Sequence, residues 1–421
     1  MNGTSTHHIG AVAGYAASAS SRATGPSGVS ASGSKKSASE GTDKHPPAGY
    51  VTISNNLLAS LRPTKVFRPA QPAALSKHDA TTEQVGSLTH SDQSKLPHIT
   101  SMCFDDRGEH LVTAAENETF QVYDCRKGKS TRTLYSKKYG VHLTRFTHTN
   151  SAIIHASTKE DDTIRQHSLE KNTYLQYHRG HKAKVTTLQM SPLDETFLSG
   201  AVDESVRLWD LRSSHTQGLM RVKGHPIVAY DSTGLVFALT ISERALVLLY
   251  DVRSFHLTPF LSIALPERTV PTALAFSPSG TSGSDGSLLL VGTANDTLYI
   301  LDTRAGVLRF RLVGHQGLQD VAGGMGATEA IQEAGISGQE FSWSADGAFI
   351  VAGTSSGDVL YWAIPASAQA SLTEPIDIHP FKSSQRHSSG AIRSLAFNPR
   401  AAMLATASHD LTMWLVPPPE E

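Results

Sequence analysis

Cysteine is nearly absent from the chain, with two thiols, Cys103 and Cys125, in 421 residues. Neither lies in a CxxC or beside a histidine cluster, so no disulfide framework and no Cys/His metal site is expected. The reading is that of buried, reduced thiols in an intracellular protein. No apolar run approaches the ~20 residues that cross a bilayer, and the first residues lack the charged region and continuous apolar core of a signal peptide. Neither sign of charge dominates: 37 Lys and Arg stand against 38 Asp and Glu, a formal net charge of −1. A general attraction to nucleic acid or to an acidic membrane is therefore not expected. The 20 histidines are scattered, without HExxH. Glycine-rich stretches such as GTSGSDGS match neither a phosphate-cradling loop nor a dinucleotide turn. No metal and no cofactor is expected.

What the chain does contain is one unit, repeated. Residues 1–50, rich in Ser, Gly and Ala, cannot bury enough apolar surface to offset their ordering entropy and read as a disordered tail. Beyond it, the most regular copy runs from His181 to Asp210, HKAKVTTLQMSPLDETFLSGAVDESVRLWD, with Gly180 before it, a Ser-Pro turn, a turn at Asp203 and a closing Trp209-Asp210. The closing dipeptides, or the residues that replace them, end at 124, 168, 210, 251, 302, 363 and 415; the first three intervals are 41 to 44 residues, the later ones 51 to 61. Insertions near 70–92, 280–286, 317–338 and 367–390, read as loops, account for the irregularity. The unit resembles one blade of a WD40 propeller, whose period is ~40 to 45 residues. The resulting expectation is an all-β, seven-bladed WD40 β-propeller over 51–421, closed by an N-terminal strand at Val66-Phe67 and preceded by the tail.

Within the regular copy, His181, Ser199, Asp203 and Trp209 stand at the spacings of a hydrogen-bonded structural tetrad, in which the carboxylate, imidazole, hydroxyl and indole satisfy one another. The same His, Ser and Asp could be misread as a hydrolase triad. Ser199, however, falls in mid-strand with no Gly-x-Ser-x-Gly elbow to present it, so no catalytic residue is assigned. The stretch Thr133–Gly140, TLYSKKYG, places two cations beside tyrosines between the first two units. Ammonium groups pair with phosphate or carboxylate while rings cover apolar parts, so Lys137, Lys138 and Tyr139 form a candidate partner-binding loop, with Arg165 and Arg207 as further candidates. The bland alternative is a strand carrying ordinary surface lysines. Two Asp-(Leu/Val)-Arg-Ser turns, at 210–213 and 251–254, read as local structure, and Phe255, Pro259 and Phe260 beyond the second as an apolar contact patch.

The likeness is narrower than a generic repeat. YDCRKGKSTRTLYSKKYGVHLTRFTH, DDTIRQHSLEKNTYLQYHRGH, MSPLDETFLSGAVDESVRLWDLRSSHTQGLM and LYDVRSF together resemble the family of WD repeat-containing protein 82 and its fungal counterparts, the WD-repeat subunit of COMPASS-type histone H3 lysine-4 methyltransferase complexes. The likeness extends from about Leu57 to the closing AFNPRAAMLATASHDLTMWL. It implies a nuclear, non-enzymatic scaffold that docks the SET-domain methyltransferase subunit beside other COMPASS subunits and links it to phosphorylated RNA polymerase II C-terminal repeats. An adaptor in RNA 3′-end processing, transcription termination or a phosphatase complex is the alternative. Neither role implies direct contact with nucleic acid or membrane.

Overall fold

In a propeller both faces of a middle strand meet a neighbouring blade, so such strands are continuous small or apolar runs rather than half-polar alternations. AIIHA (Ala152–Ala156), FIVAG (Phe349–Gly353) and MLATA (Met403–Ala407) are of this kind, and each is buried along its whole length. The computed structural model describes residues 52–68, 97–279, 286–294, 296–315, 340–365, 374–387 and 390–417. The tail, the 70–92 connection, the 317–338 insertion and all of 280–286 except Gly286 lie outside them.

The described strands form seven sheets, antiparallel except for one added strand, arranged as a seven-bladed β-propeller. Blade one runs from Ile99–Phe104 on the inside to Lys129–Tyr135 on the outside, blade two from His142–Phe146 to Thr173–His178, and blade three from Val185–Met190 to Gly218–Arg221. Blade four extends from Pro226–Tyr230 to Leu261–Ala264, and blade five from Pro271–Phe276 to Val307–Leu312. Blade six begins at Phe341–Trp343, and blade seven carries Ser394–Phe397, Met403–Ala407 and Leu411–Leu415.

The ring is shut by the expected strand. Arg62–Phe67 supplies the fourth strand of blade seven, pairing Val66 with Thr412 and Phe67 with Leu411. A short helix, Asn55–Ser60, precedes it, and Leu58 and Leu61 are fully buried between blades six and seven.

Two strands lie inside the 367–390 stretch that reads as loop. Phe381–Arg386 is the outer strand of blade six, and Ile376–Ile378 adds in parallel as a fifth strand on blade five. The first completes a blade whose aromatic-closing unit holds only three strands. Its polar FKSSQR sequence hides it, because an outer strand buries little.

Each seam between blades holds a buried apolar cluster. Each is also crossed by a hydrogen bond with a side chain as donor or acceptor. In order from the one–two seam these are Thr144 N to Ser101 Oγ (3.1 Å), His148 Nε2 with Asp194 O (3.1 Å), Thr187 Oγ1 to Val228 O (3.3 Å), and Ser242 Oγ to Pro271 O (3.2 Å). Trp343 Nε1 to Ala275 O (3.0 Å), Phe397 N to Ser342 Oγ (3.2 Å) and Asn398 Nδ2 to Gly108 O (2.8 Å) complete the circuit. Such a ring fixes the loops at its two rims relative to one another, which is what a multi-contact surface requires.

Candidate functional site

In blade three, His181 Nδ1 lies 3.2 Å from Asp203, its Nε2 lies 2.7 Å from Ser199 Oγ, and Trp209 Nε1 donates to the same Oγ at 2.8 Å. Ser205 Oγ donates to Asp203 at 2.6 Å. Burial drives the His181 pKa down to about 4, against the upward pull of Asp203. Burial works upward on Asp203 itself, but bonds from Ser205, the Lys182 N–H and His181 outweigh it and hold the carboxyl below its usual range. Ser199 is wholly buried, its oxygen accepts the indole N–H, and nothing presents it to a substrate.

A second set of the same kind sits in blade seven. His387 bridges Asp410 (2.9 Å) and Thr406 Oγ1 (2.9 Å), and Trp414 Nε1 donates to Thr406 at 2.8 Å. Sequence reasoning passed over it. The signal was a histidine 27 residues before Trp414, close to the 28 between His181 and Trp209, but Thr406 and Trp414 stand eight residues apart where Ser199 and Trp209 stand ten.

The candidate loop lies where the outer strand of blade one crosses to blade two. Its chain reverses through hydrogen bonds from the Tyr139 and Gly140 N–H groups to Ser136 O (3.2 and 2.8 Å). Gly140 takes φ +69°, and a Cβ there would collide with Thr158, so glycine is required twice over. The 157–163 turn of blade two folds against the loop, with Thr158 N and Lys159 N both donating to Tyr139 O at 2.9 Å. Beneath, the guanidinium of Arg165 lies 3.5 Å from the Tyr139 ring centroid. It also donates to both carboxylate oxygens of Asp161 (2.7 and 2.8 Å) and to Ser157. Burial pushes the Asp161 carboxyl up, but the bonds from Arg165 and the Thr163 N–H leave it below its usual range.

Of the five residues expected to bind a partner, three come together and two do not. Lys138 lies 5.1 Å over the Tyr139 ring, with Arg165 against that same ring. Arg165, however, is 1% exposed and committed to Asp161, so it supports the loop rather than offering a free cation. Lys137 is exposed and turns to Tyr135, 5.5 Å from that ring. Arg207 belongs to blade three, where it lies over Trp209 and donates to Thr216. Gly180 lets it pack there, since a Cβ would come within 2.6 Å of its Nη1.

The structure adds three residues the sequence did not bring forward. Tyr174 and Tyr177, on the outer strand of blade two, lie 5.9 and 5.5 Å from the Arg165 guanidinium, and Arg179 lies 5.5 Å over Tyr177. Their signal was the run TYLQYHR, aromatic and cationic like TLYSKKY but within a unit that lacks Trp-Asp. Of the apolar patch read beyond the 251–254 turn, which the structure places within blade four between Arg244–Asp251 and Leu261–Ala264, Phe260 is exposed, whereas Phe255 is buried against Phe237.

Seven four-stranded repeats closed by an N-terminal strand, with a His-Ser-Asp-Trp network in the best-formed blade, define a WD40-repeat propeller. The WD40 family signature (WD domain, G-beta repeat) matches residues 82–124, 172–210 and 379–415. WD repeat-containing protein 82 of Drosophila melanogaster is 37% identical over 319 residues, covering 75% of this chain and 90% of the relative. The Set1 complex component swd2 of Schizosaccharomyces pombe is 39% identical over 259 residues, 61% of this chain and 64% of the relative. The COMPASS component SWD2 of Saccharomyces cerevisiae is 34% identical over 319 residues, 75% and 90% respectively. The chain belongs to the family of WD repeat-containing protein 82 and Swd2. It is a non-catalytic scaffold of the WD-repeat type.

Proposed function

We propose that this protein is the WD-repeat scaffold subunit of a nuclear COMPASS-type complex. In this reading it supports histone H3 lysine-4 methylation by docking the SET-domain catalytic subunit and linking it to the phosphorylated C-terminal repeats of RNA polymerase II. The observation that carries the reading is the likeness to two relatives named for the Set1 complex and COMPASS, together with WD repeat-containing protein 82. The Ser136–Gly140 loop supports the second half. It holds two exposed lysines beside tyrosine rings, on a backbone tied down by the Thr158 and Lys159 N–H groups and with Arg165 against the Tyr139 ring before any ligand arrives. A loop ordered in advance loses less entropy on binding, and ammonium groups over rings suit a peptide with phosphate on one side and proline or tyrosine on the other.

Titration of a serine-phosphorylated polymerase-repeat peptide into the full chain tests the loop. The doubly substituted Lys137→Ala/Lys138→Ala protein is expected to bind it about tenfold more weakly. Unchanged affinity would remove the loop from the assignment.

A further inference from the structure

The rings beside the loop do not stop at Tyr139. Tyr139 and Tyr174 stand edge to face with centroids 5.5 Å apart, and Tyr174 and Tyr177 follow at 5.8 Å. Lys138 lies over the first ring and Arg179 over the last, at 5.1 and 5.5 Å. Both cations are exposed, and neither has a carboxylate partner among the described residues. The buried guanidinium of Arg165 touches all three rings from beneath, and Ser136 Oγ holds the Tyr174 hydroxyl at 2.7 Å. The strip is thus built and braced: a half-buried aromatic floor with one free cation at each end.

We propose that this strip is a two-anion site, in which Lys138 and Arg179 each take one anionic residue of a single extended peptide and the tyrosines floor the segment between. The inference rests on the phosphopeptide reading of the loop and deepens it by setting the spacing of the ligand. Summed end to end, ring steps of 5.5 and 5.8 Å and cation distances of 5.1 and 5.5 Å limit the separation of the cations to roughly 22 Å. An extended chain covers that in about six residues, so the two anions lie no farther apart than that. Ring faces beside cations also suit single-stranded nucleic acid. Here the turn folded against the loop carries Glu160 and Asp162 besides Asp161, which Arg165 neutralises as Lys159 does Glu118. The two remaining carboxylates disfavour a continuous polyanion more than two separate charges.

Three synthetic ten-residue peptides of one Ser/Pro/Tyr-containing sequence, carrying no phosphoserine, one, or two separated by four residues, can be titrated into the full-length chain by fluorescence anisotropy. The second phosphate is expected to tighten binding about five- to tenfold. Arg179→Ala should abolish that gain while weakening the singly phosphorylated peptide by no more than about twofold, and Arg179→Lys should restore part of the gain. If the singly phosphorylated peptide binds and the second phosphate adds nothing, the two-anion site is overturned while the loop assignment stands. If neither phosphorylated peptide binds more tightly than the unmodified one, both fall. Tighter binding of an oligothymidine of equal length than of the doubly phosphorylated peptide would also overturn the proposal, in favour of nucleic acid.

Discussion

His181 is neutral in the fold because its ring is buried, and this ties the stability of blade three to pH. The folded pKa, about 4, lies below the unfolded value of 6.5. Its contribution is therefore fully present above about pH 6.5 and is lost as pH falls toward 4, when the unfolded chain takes up a proton that the folded blade refuses. The shift corresponds to about 3 kcal/mol at the acid end of that window. Urea denaturation of the wild type and of His181→Gln at pH 7 and pH 4.5 should show a steeper loss with acidification in the wild type. Equal losses would mean that His181 is not held neutral. His155 and His142, depressed to about 3 chiefly by burial, add to the same acid sensitivity, so the difference between the two proteins is the informative quantity. Residues of this kind were partly visible beforehand. Ser199 and Trp209 stand at the expected offsets around their turn, whereas Thr406 and Trp414 do the same job one position nearer to a turn of equal length, which alters the spacing between them.

Elements differ in how much of themselves they write into the chain. Middle strands do so strongly, because burial on both faces admits only apolar or small residues. The outer strand Phe381–Arg386 writes little, and Ile376–Ile378 is held by three parallel pairs and the Arg311–Asp377 bridge, across 66 residues. Tyr174 and Tyr177 were overlooked for a related reason. The third strand of blade two ends in His167-Ser168 rather than an aromatic-Asp pair, so its repeat is weakly marked in the sequence. The closing strand was legible because a ring needs its ends joined. It carries a prediction at this scale. Without residues 1–68 the chain loses Leu58 and Leu61, worth roughly 3 to 6 kcal/mol of burial together. It also loses the partner of Leu411–Leu415 and the edge-to-face contact of Phe67 with Tyr123. That truncation is expected to melt well below the full chain and to aggregate through its exposed strand edge. Removal of residues 1–50 alone should leave the melting temperature unchanged. Equal melting of the 1–68 truncation would show that closure does not depend on this strand.

For the whole molecule, seven seams, each with its own apolar cluster and hydrogen bond, make a ring whose loops keep their places. That rigidity suits the scaffold role proposed for the chain. Fold and family were legible in the repeat period and in the 123–255 stretch. The proposed binding strip was only half legible, since Tyr139 comes from the loop leaving blade one and Tyr174 and Tyr177 from a strand of blade two some 35 residues later. Whether the ring is a subunit of a SET-domain methyltransferase assembly is decided by purifying the tagged full-length chain from nuclei and identifying its partners by mass spectrometry. The SET-domain catalytic subunit and further COMPASS subunits should be recovered with it in comparable amounts. Recovery of RNA 3′-end processing factors with no SET-domain subunit would contradict the account.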